Sequence, residues 1–136
     1  MSYYNKWAKI RKTFESSFKG LNDSIKDSCN KKALPPFFIK YSTHLFDRII
    51  DHEIPTDDVI LLFNKIANNV EQVSRYIAME NRPLRLEITN GSIWLGFTLS
   101  EPNENSKYPT CTLRCRTVIL NPNRLQGKIS THLIRL

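Results

Sequence analysis

An α+β fold, with N-terminal helices packed on one face of a four-stranded antiparallel sheet, follows from three features of this chain. Apolar residues recur at steps of three and four through Trp7, Ile10, Phe14, Phe18, Leu21 and Ile25; apolar and polar residues alternate after Pro83; and an Asn90-Gly91 pair separates two of the alternating runs. With 136 residues, 40% hydrophobic and 24% charged, the chain suits one core and is neither collagen-like nor broadly disordered. Residues 1–33 read as a basic amphipathic helix and polar linker, and 34–136 as an α+β domain, the two forming one compact unit.

The first helix carries Lys6, Lys9, Arg11, Lys12 and Lys19 between its apolar positions, so its aromatic stripe is a packing face. Gly20 and the polar stretch Asn22 to Lys32 are expected to end or interrupt it, and Pro35-Pro36 to impose a loop. Ser42 or Thr43 can cap a short helix through Leu45, Phe46, Ile49 and Ile50; Pro55 breaks it and Thr56 caps the next. Asp57 and Asp58 suit the positive end of that helix, whose buried stripe is Val59, Leu62, Phe63 and Ile66, with Asn68-Asn69 as the stop. Val70 to Glu80 fits a further helix.

The sheet begins at Leu84, Leu86 and Ile88, alternating with Arg85, Glu87 and Thr89. After the Asn90-Gly91 turn, Ile93, Leu95, Phe97 and Leu99 alternate with Trp94, Gly96 and Thr98. Glu101 to Pro109 is a polar loop. Thr110 to Leu120 is a third strand, with Cys111, Leu113 and Cys115 on one face and Thr112, Arg114 and Arg116 on the other. Asn121-Pro122-Asn123 makes a turn, and Lys128 to Arg135 a fourth strand.

The net charge is +7, and it is unevenly spread. Eight Lys/Arg face three Asp/Glu in residues 1–33, five face seven in 34–82, and seven face three in 83–136. Basic ends around an acidic middle favour a polyanionic partner, because each cation that neutralises a phosphate releases condensed counterions. The longest uninterrupted run of aliphatic and aromatic residues is Val59 to Phe63, too short to span a membrane, and Met1 to Lys12 lacks a secretory segment, so a cytoplasmic location is expected. The three cysteines, Cys29, Cys111 and Cys115, form no CxxC pair, and read as reduced thiols, Cys111 and Cys115 as core fillers.

If the apolar side of each strand meets the helices, the other side presents Arg85, Glu87, Trp94, Thr98, Arg114, Arg116 and His132, with Lys128 and Arg135 extending the cationic set. Guanidinium groups bind phosphate, an exposed indole stacks on a base, and Gly96 leaves room for a backbone to approach; the same surface also fits a solvated face with cross-strand ion pairs. His44, His52 and His132 are the side chains suited to proton transfer near neutrality. A ribonuclease without metal needs a base, an acid and cations around the phosphorane-like charge; His44 and His132, with Arg48, Arg114 and Arg116, could supply them. His44, Asp47 and Asp51 share one helical face, but no second ligand cluster accompanies them, and no phosphate-cradling loop or nucleophile elbow occurs, so no metal or other cofactor is expected.

The stretch Tyr41-Ser42-Thr43-His44-Leu45-Phe46-Asp47-Arg48 through Pro55, followed by the helix to Ile66, resembles the opening of the barnase/EndoU/colicin/RelE-like ribonuclease superfamily. There a helix bearing a His and an Arg one turn later leads through a second helix into a four-stranded antiparallel sheet. The resemblance covers residues 40–136 and leaves the basic N-terminal helix as an addition. It implies a metal-independent endoribonuclease, often a toxin acting on tRNA or mRNA, or an RNA-binding relative that has lost catalysis. On that pattern His44 and Arg48 match the helix positions, and Arg114, Arg116 and His132 loosely match residues on late strands. RNA is the expected partner. A non-catalytic nucleic-acid-binding module, and an inhibitor or adaptor that offers its basic surface to an acidic protein, stay open as alternatives.

Overall fold

The computed structural model describes residues 2–100, 110–120 and 131–136. A long helix α1 (Tyr3–Lys31) precedes a short strand β1 (Phe37–Tyr41). Three helices follow, α2 (His44–Asp51), α3 (Thr56–Ile66) and α4 (Val70–Ala78). The remaining strands are β2 (Arg85–Thr89), β3 (Ile93–Ser100), β4 (Cys111–Leu120) and β5 (Thr131–Arg135).

The apolar stripe of α1 does not stop at Gly20. Leu21, Ile25 and Cys29 are all buried, and nothing lies near Gly20, so its intrinsic cost of about 1 kcal/mol is outweighed by the packing of the turns beyond it. The Ser2 hydroxyl accepts from the Asn5 N–H at the start. At the end, Leu34 N–H donates to the Cys29 carbonyl and Ala33 N–H to that of Asn30, a Schellman closure with Ala33 left-handed at φ 54°. A second closure of the same kind ends α2, with Ile54 bonded to Ile49, Glu53 to Ile50, and Glu53 at φ 50°.

Thr56 is the first residue of α3 rather than its cap. Pro55 holds the cap position in an extended conformation, and its carbonyl accepts the first helical bond, from Val59. At the start of α2, Thr43 holds the cap position without a side-chain bond, while the Ser42 hydroxyl accepts from His44 N–H.

The sheet has five strands in the order β1-β4-β3-β2-β5, where four antiparallel strands were expected. β2, β3 and β4 form the expected antiparallel core of the sheet; β1 joins β4 in parallel and β5 joins β2 in parallel. Pro35-Pro36 ends one helix and leads straight into a strand in which Phe37 and Ile39 are buried and Phe38 and Lys40 exposed, a five-residue alternation hidden behind the proline pair. Between Gly96 and Phe97 the β3–β4 register shifts, so Arg116 is the extra residue of a bulge. The polar loop 101–109, the turn 121–123 and Lys128 lie outside the described residues.

One core joins the buried stripes of all four helices to Ile39, Leu86, Ile88, Leu95, Phe97, Leu113, Cys115 and Ile134. The stripe of α1 is part of it. Phe14 sits at its centre, in edge contact with Tyr41, Phe46 and Phe63. The two sides of the sheet therefore differ: one faces the helices, and the other carries the charged side chains of the strands, with Trp94 and Phe38 among them.

Two side chains close the edge beside α2 and α1. Asn22 of α1 acts as a strand partner for Ile39, accepting from its N–H at 2.8 Å and donating to its carbonyl at 3.0 Å. Where β1 ends, α2 takes its place beside β4, and Arg48 Nε donates to the Val118 carbonyl at 2.9 Å. Backbone groups that would otherwise lie unpaired are thus satisfied.

Candidate nucleic-acid interface

The strand register aligns one residue from each strand in a row across the polar side of the sheet. Lys40 of β1 pairs with Arg114 of β4, Arg114 with Thr98 of β3, Thr98 with Arg85 of β2, and Arg85 with Thr131 of β5. Partners in register share a face, so Lys40, Arg114 and Arg85 form a cationic band. Arg116 joins it through the bulge, its Nε donating to the Thr98 hydroxyl at 2.6 Å. Lys40 and Arg116 are exposed and Arg85 and Arg114 half-buried.

Gly96 is the floor under Arg85. A Cβ there would lie 2.8 Å from Arg85 Nη2 and 2.7 Å from Thr117 Cγ2, so the guanidinium rests where only hydrogen fits. Glu87, opposite Gly96 in the register, is 5% exposed and puts one carboxylate into the band.

Trp94 does not offer the exposed indole expected of it. It is 3% exposed, with the Arg135 guanidinium 5.8 Å over its ring, an arrangement that uses the indole as a packing surface for a cation. Arg135 itself is exposed. His132 also differs from expectation, since it pairs with the core residue Leu86 and stacks on Tyr76 of α4 at 5.5 Å. Its ring therefore lies on the helix side of the sheet, opposite the arginines.

His44 opens α2 and is exposed. Ser42, two residues earlier, donates its N–H to the Cys115 carbonyl, and Arg114 Nη1 reaches the Tyr41 carbonyl at 3.5 Å. These ties hold the start of α2, and His44 with it, against the end of β1 and the middle of β4, at the margin of the band. His132 lies on β5, three strands from β4 in the sheet order, about 14 Å away at ordinary strand spacing. The two imidazoles do not converge. Arg48 shares α2 with His44, but its Nε is engaged by β4 as described above.

The Asp47 carboxylate accepts from the Tyr3 hydroxyl at 2.6 Å, and this bond pushes the Tyr3 pKa up to about 12. The start of α1 is thereby tied beside His44. Burial pushes the Cys115 thiol well up and the Cys29 thiol up as well, so neither presents a thiolate near neutral pH. Among the described residues no group of three or more His, Cys, Asp or Glu could hold a metal ion, and no helix is long and apolar enough to cross a membrane. Lys40 escaped sequence reasoning because its strand did; the alternation Phe37, Ile39, Tyr41 was the signal that could have placed it.

Comparison with known proteins assigns an α+β protein of this architecture to an endoribonuclease family. The model of the family T4-page Endoribonuclease RegB matches residues 1–135, and the chain belongs to that family. It is 40% identical to the endoribonuclease RegB of Enterobacteria phage T4, over 93% of this chain and 91% of that protein. The solution structure of the phage T4 endoribonuclease RegB is similar with a TM-score of 0.69 and 37% identity, covering 98% of this chain and 95% of that one. The ribonuclease identity expected from residues 40–136 thus holds at the level of the family. The match also takes in the N-terminal helix, which is part of the family's fold and not an addition to it.

Proposed function

We propose that this chain is a metal-independent endoribonuclease that lays single-stranded RNA across the polar side of its sheet. Family membership supports RNA cleavage, and the placement of His44 beside a band formed by Lys40, Arg85, Arg114 and Arg116 carries the assignment of roles. The arginines grip phosphates through two parallel N–H bonds each. His44 serves as the base that takes the 2′-hydroxyl proton. The freed oxygen attacks phosphorus and the bond to the 5′ oxygen breaks, leaving a 2′,3′-cyclic phosphate and a 5′-hydroxyl whose proton comes from the imidazolium or water. Arg114 and Arg116 stabilise the additional negative charge on the phosphorus oxygens as it develops. His132 is too far from this centre to share the proton transfer, and its stacking on Tyr76 supports a packing role. The order of a helix with His44 and Arg48 ahead of the strands β2 to β5 supports kinship with the barnase/EndoU/colicin/RelE-like superfamily.

The test is cleavage of tRNA and total RNA in the presence of a chelator. Discrete products ending in cyclic phosphate are expected, with His44→Ala lowering the rate by about 100-fold or more and His132→Ala leaving it within a few-fold of wild type. Salt-sensitive binding without cleavage would reduce the chain to a nucleic-acid-binding module. A stoichiometric complex with an acidic protein, and no RNA affinity, would overturn the reading altogether.

A further inference from the structure

Phe38 is a large aromatic side chain left 41% exposed on a strand whose neighbouring residues Phe37 and Ile39 are buried at 2% and 1%. It pairs with Thr112, and Thr112 with Ser100, so Phe38 stands on the polar side of the sheet one row from the cationic band. Lys40 is two residues along β1, about 6.6 Å away by strand rise, and Arg114, two residues along β4 from Phe38's partner Thr112, lies on the diagonal at about 8 Å. An exposed phenyl ring on a surface otherwise polar is disfavoured by water and contributes nothing to the core. Beside it, a groove of about 300 Å³ runs between β1 and α1, lined among others by Lys19, Asn22, Asp23, Phe38, Lys40 and Tyr41. Lys19 and Lys40 outnumber the single Asp23 carboxylate there.

We infer that Phe38 is a base-stacking platform for single-stranded RNA, holding one nucleobase against its ring while Lys40 and Arg114 hold the adjoining phosphate. A ring next to a cationic row is the combination by which proteins hold single strands, because every base has a face to stack and every nucleotide a phosphate to neutralise. The hydroxyls of Thr112 and Ser100, in the same row, can bond to the edge of the stacked base. This assignment rests on the endoribonuclease reading above and locates where its substrate is gripped. It also replaces the stacking expected of Trp94, whose ring is buried.

The experiment uses the full chain and a short single-stranded RNA oligonucleotide, with binding measured by fluorescence anisotropy in chelator and cleavage followed in parallel. Phe38→Ala is expected to weaken binding about tenfold and to raise KM far more than it lowers kcat, while Phe38→Trp retains wild-type affinity. A series of oligonucleotides with a single abasic site should contain one position at which the wild type drops to the affinity of Phe38→Ala and the variant loses nothing further. Indole fluorescence of Phe38→Trp should fall when RNA binds. If the wild type binds and cleaves RNA but Phe38→Ala is indistinguishable from it, or Phe38→Trp loses as much as Phe38→Ala, the stacking role is refuted while the endoribonuclease reading stands. If the wild type neither binds nor cleaves RNA, both fall together.

Discussion

Ala33 and Glu53 occupy left-handed backbone positions that an L side chain adopts at a cost of about 1–2 kcal/mol. Ala33→Gly and Glu53→Gly are therefore expected to stabilise the protein, each by about 0.5–1 kcal/mol after the extra backbone entropy of glycine in the unfolded chain is counted. Thermal or urea unfolding checks this, and a lower midpoint in both variants would show that the closures carry no strain. Tyr3 offers a second measurement at this scale. Its hydroxyl is held protonated by the bond to Asp47 up to a pKa of about 12 against the ordinary 10.0, so the tie between α1 and α2 is complete below pH 10 and is lost as pH rises through 12. Burial raises Tyr41 and Tyr76 as well, so ultraviolet titration of tyrosine should show a late-ionising set, from which Asp47→Asn should return one group to the ordinary range.

At the level of elements, what was readable in the sequence follows from how local the cause of each element is. The β2–β3 hairpin was legible because alternation and an Asn-Gly turn are both local signals, and the turn is further held by Asn90 Oδ1, which accepts from Ser92 and Ile93. The strand β1 was not. Its five residues gain their hydrogen bonds from β4, more than seventy positions away, and its outer edge from an asparagine on a helix. That asparagine supports a prediction: Asn22→Ala removes both bonds to Ile39 and should cost about 2 kcal/mol, with hydrogen exchange accelerated first in β1. Faster self-association of the variant is also expected, since the uncovered edge can pair with another chain. Unchanged exchange at Ile39 would mean that water replaces the amide without loss. Helix α1 was misjudged in length because Gly20 was weighed as a stop, while the deciding factor was the burial of Ile25 and Cys29 far beyond it.

At the scale of the whole molecule, strand alternation put Arg85 and Arg114 on one side of the sheet, and the register has them there, in one row with Thr98. The sequence could not say that His132 points the other way. A strand's alternation identifies two faces but not which one meets the helices, and for β5 that was decided by its pairing of His132 with Leu86. On the proposed reading four cations, Lys40, Arg85, Arg114 and Arg116, meet phosphates. If each neutralises one, the logarithm of the RNA binding constant should fall against the logarithm of salt concentration with a slope of about −3. Replacing Arg114 by Ala should reduce that slope by roughly one phosphate's worth, about 0.7, and a slope near zero would place RNA somewhere other than this face.

The pairing order of the strands bears on how the protein comes into being. While the ribosome is still working through the middle of the message, α1 to α4 already exist with their greasy sides bare, and β1 waits without a neighbour until β4 has been synthesised. The cationic row is split in the same way, Lys40 arriving early and Arg114 late. A nascent chain released before β4 emerges would have neither a covered core nor an assembled row, which delays any grip on RNA until translation of the sheet is done.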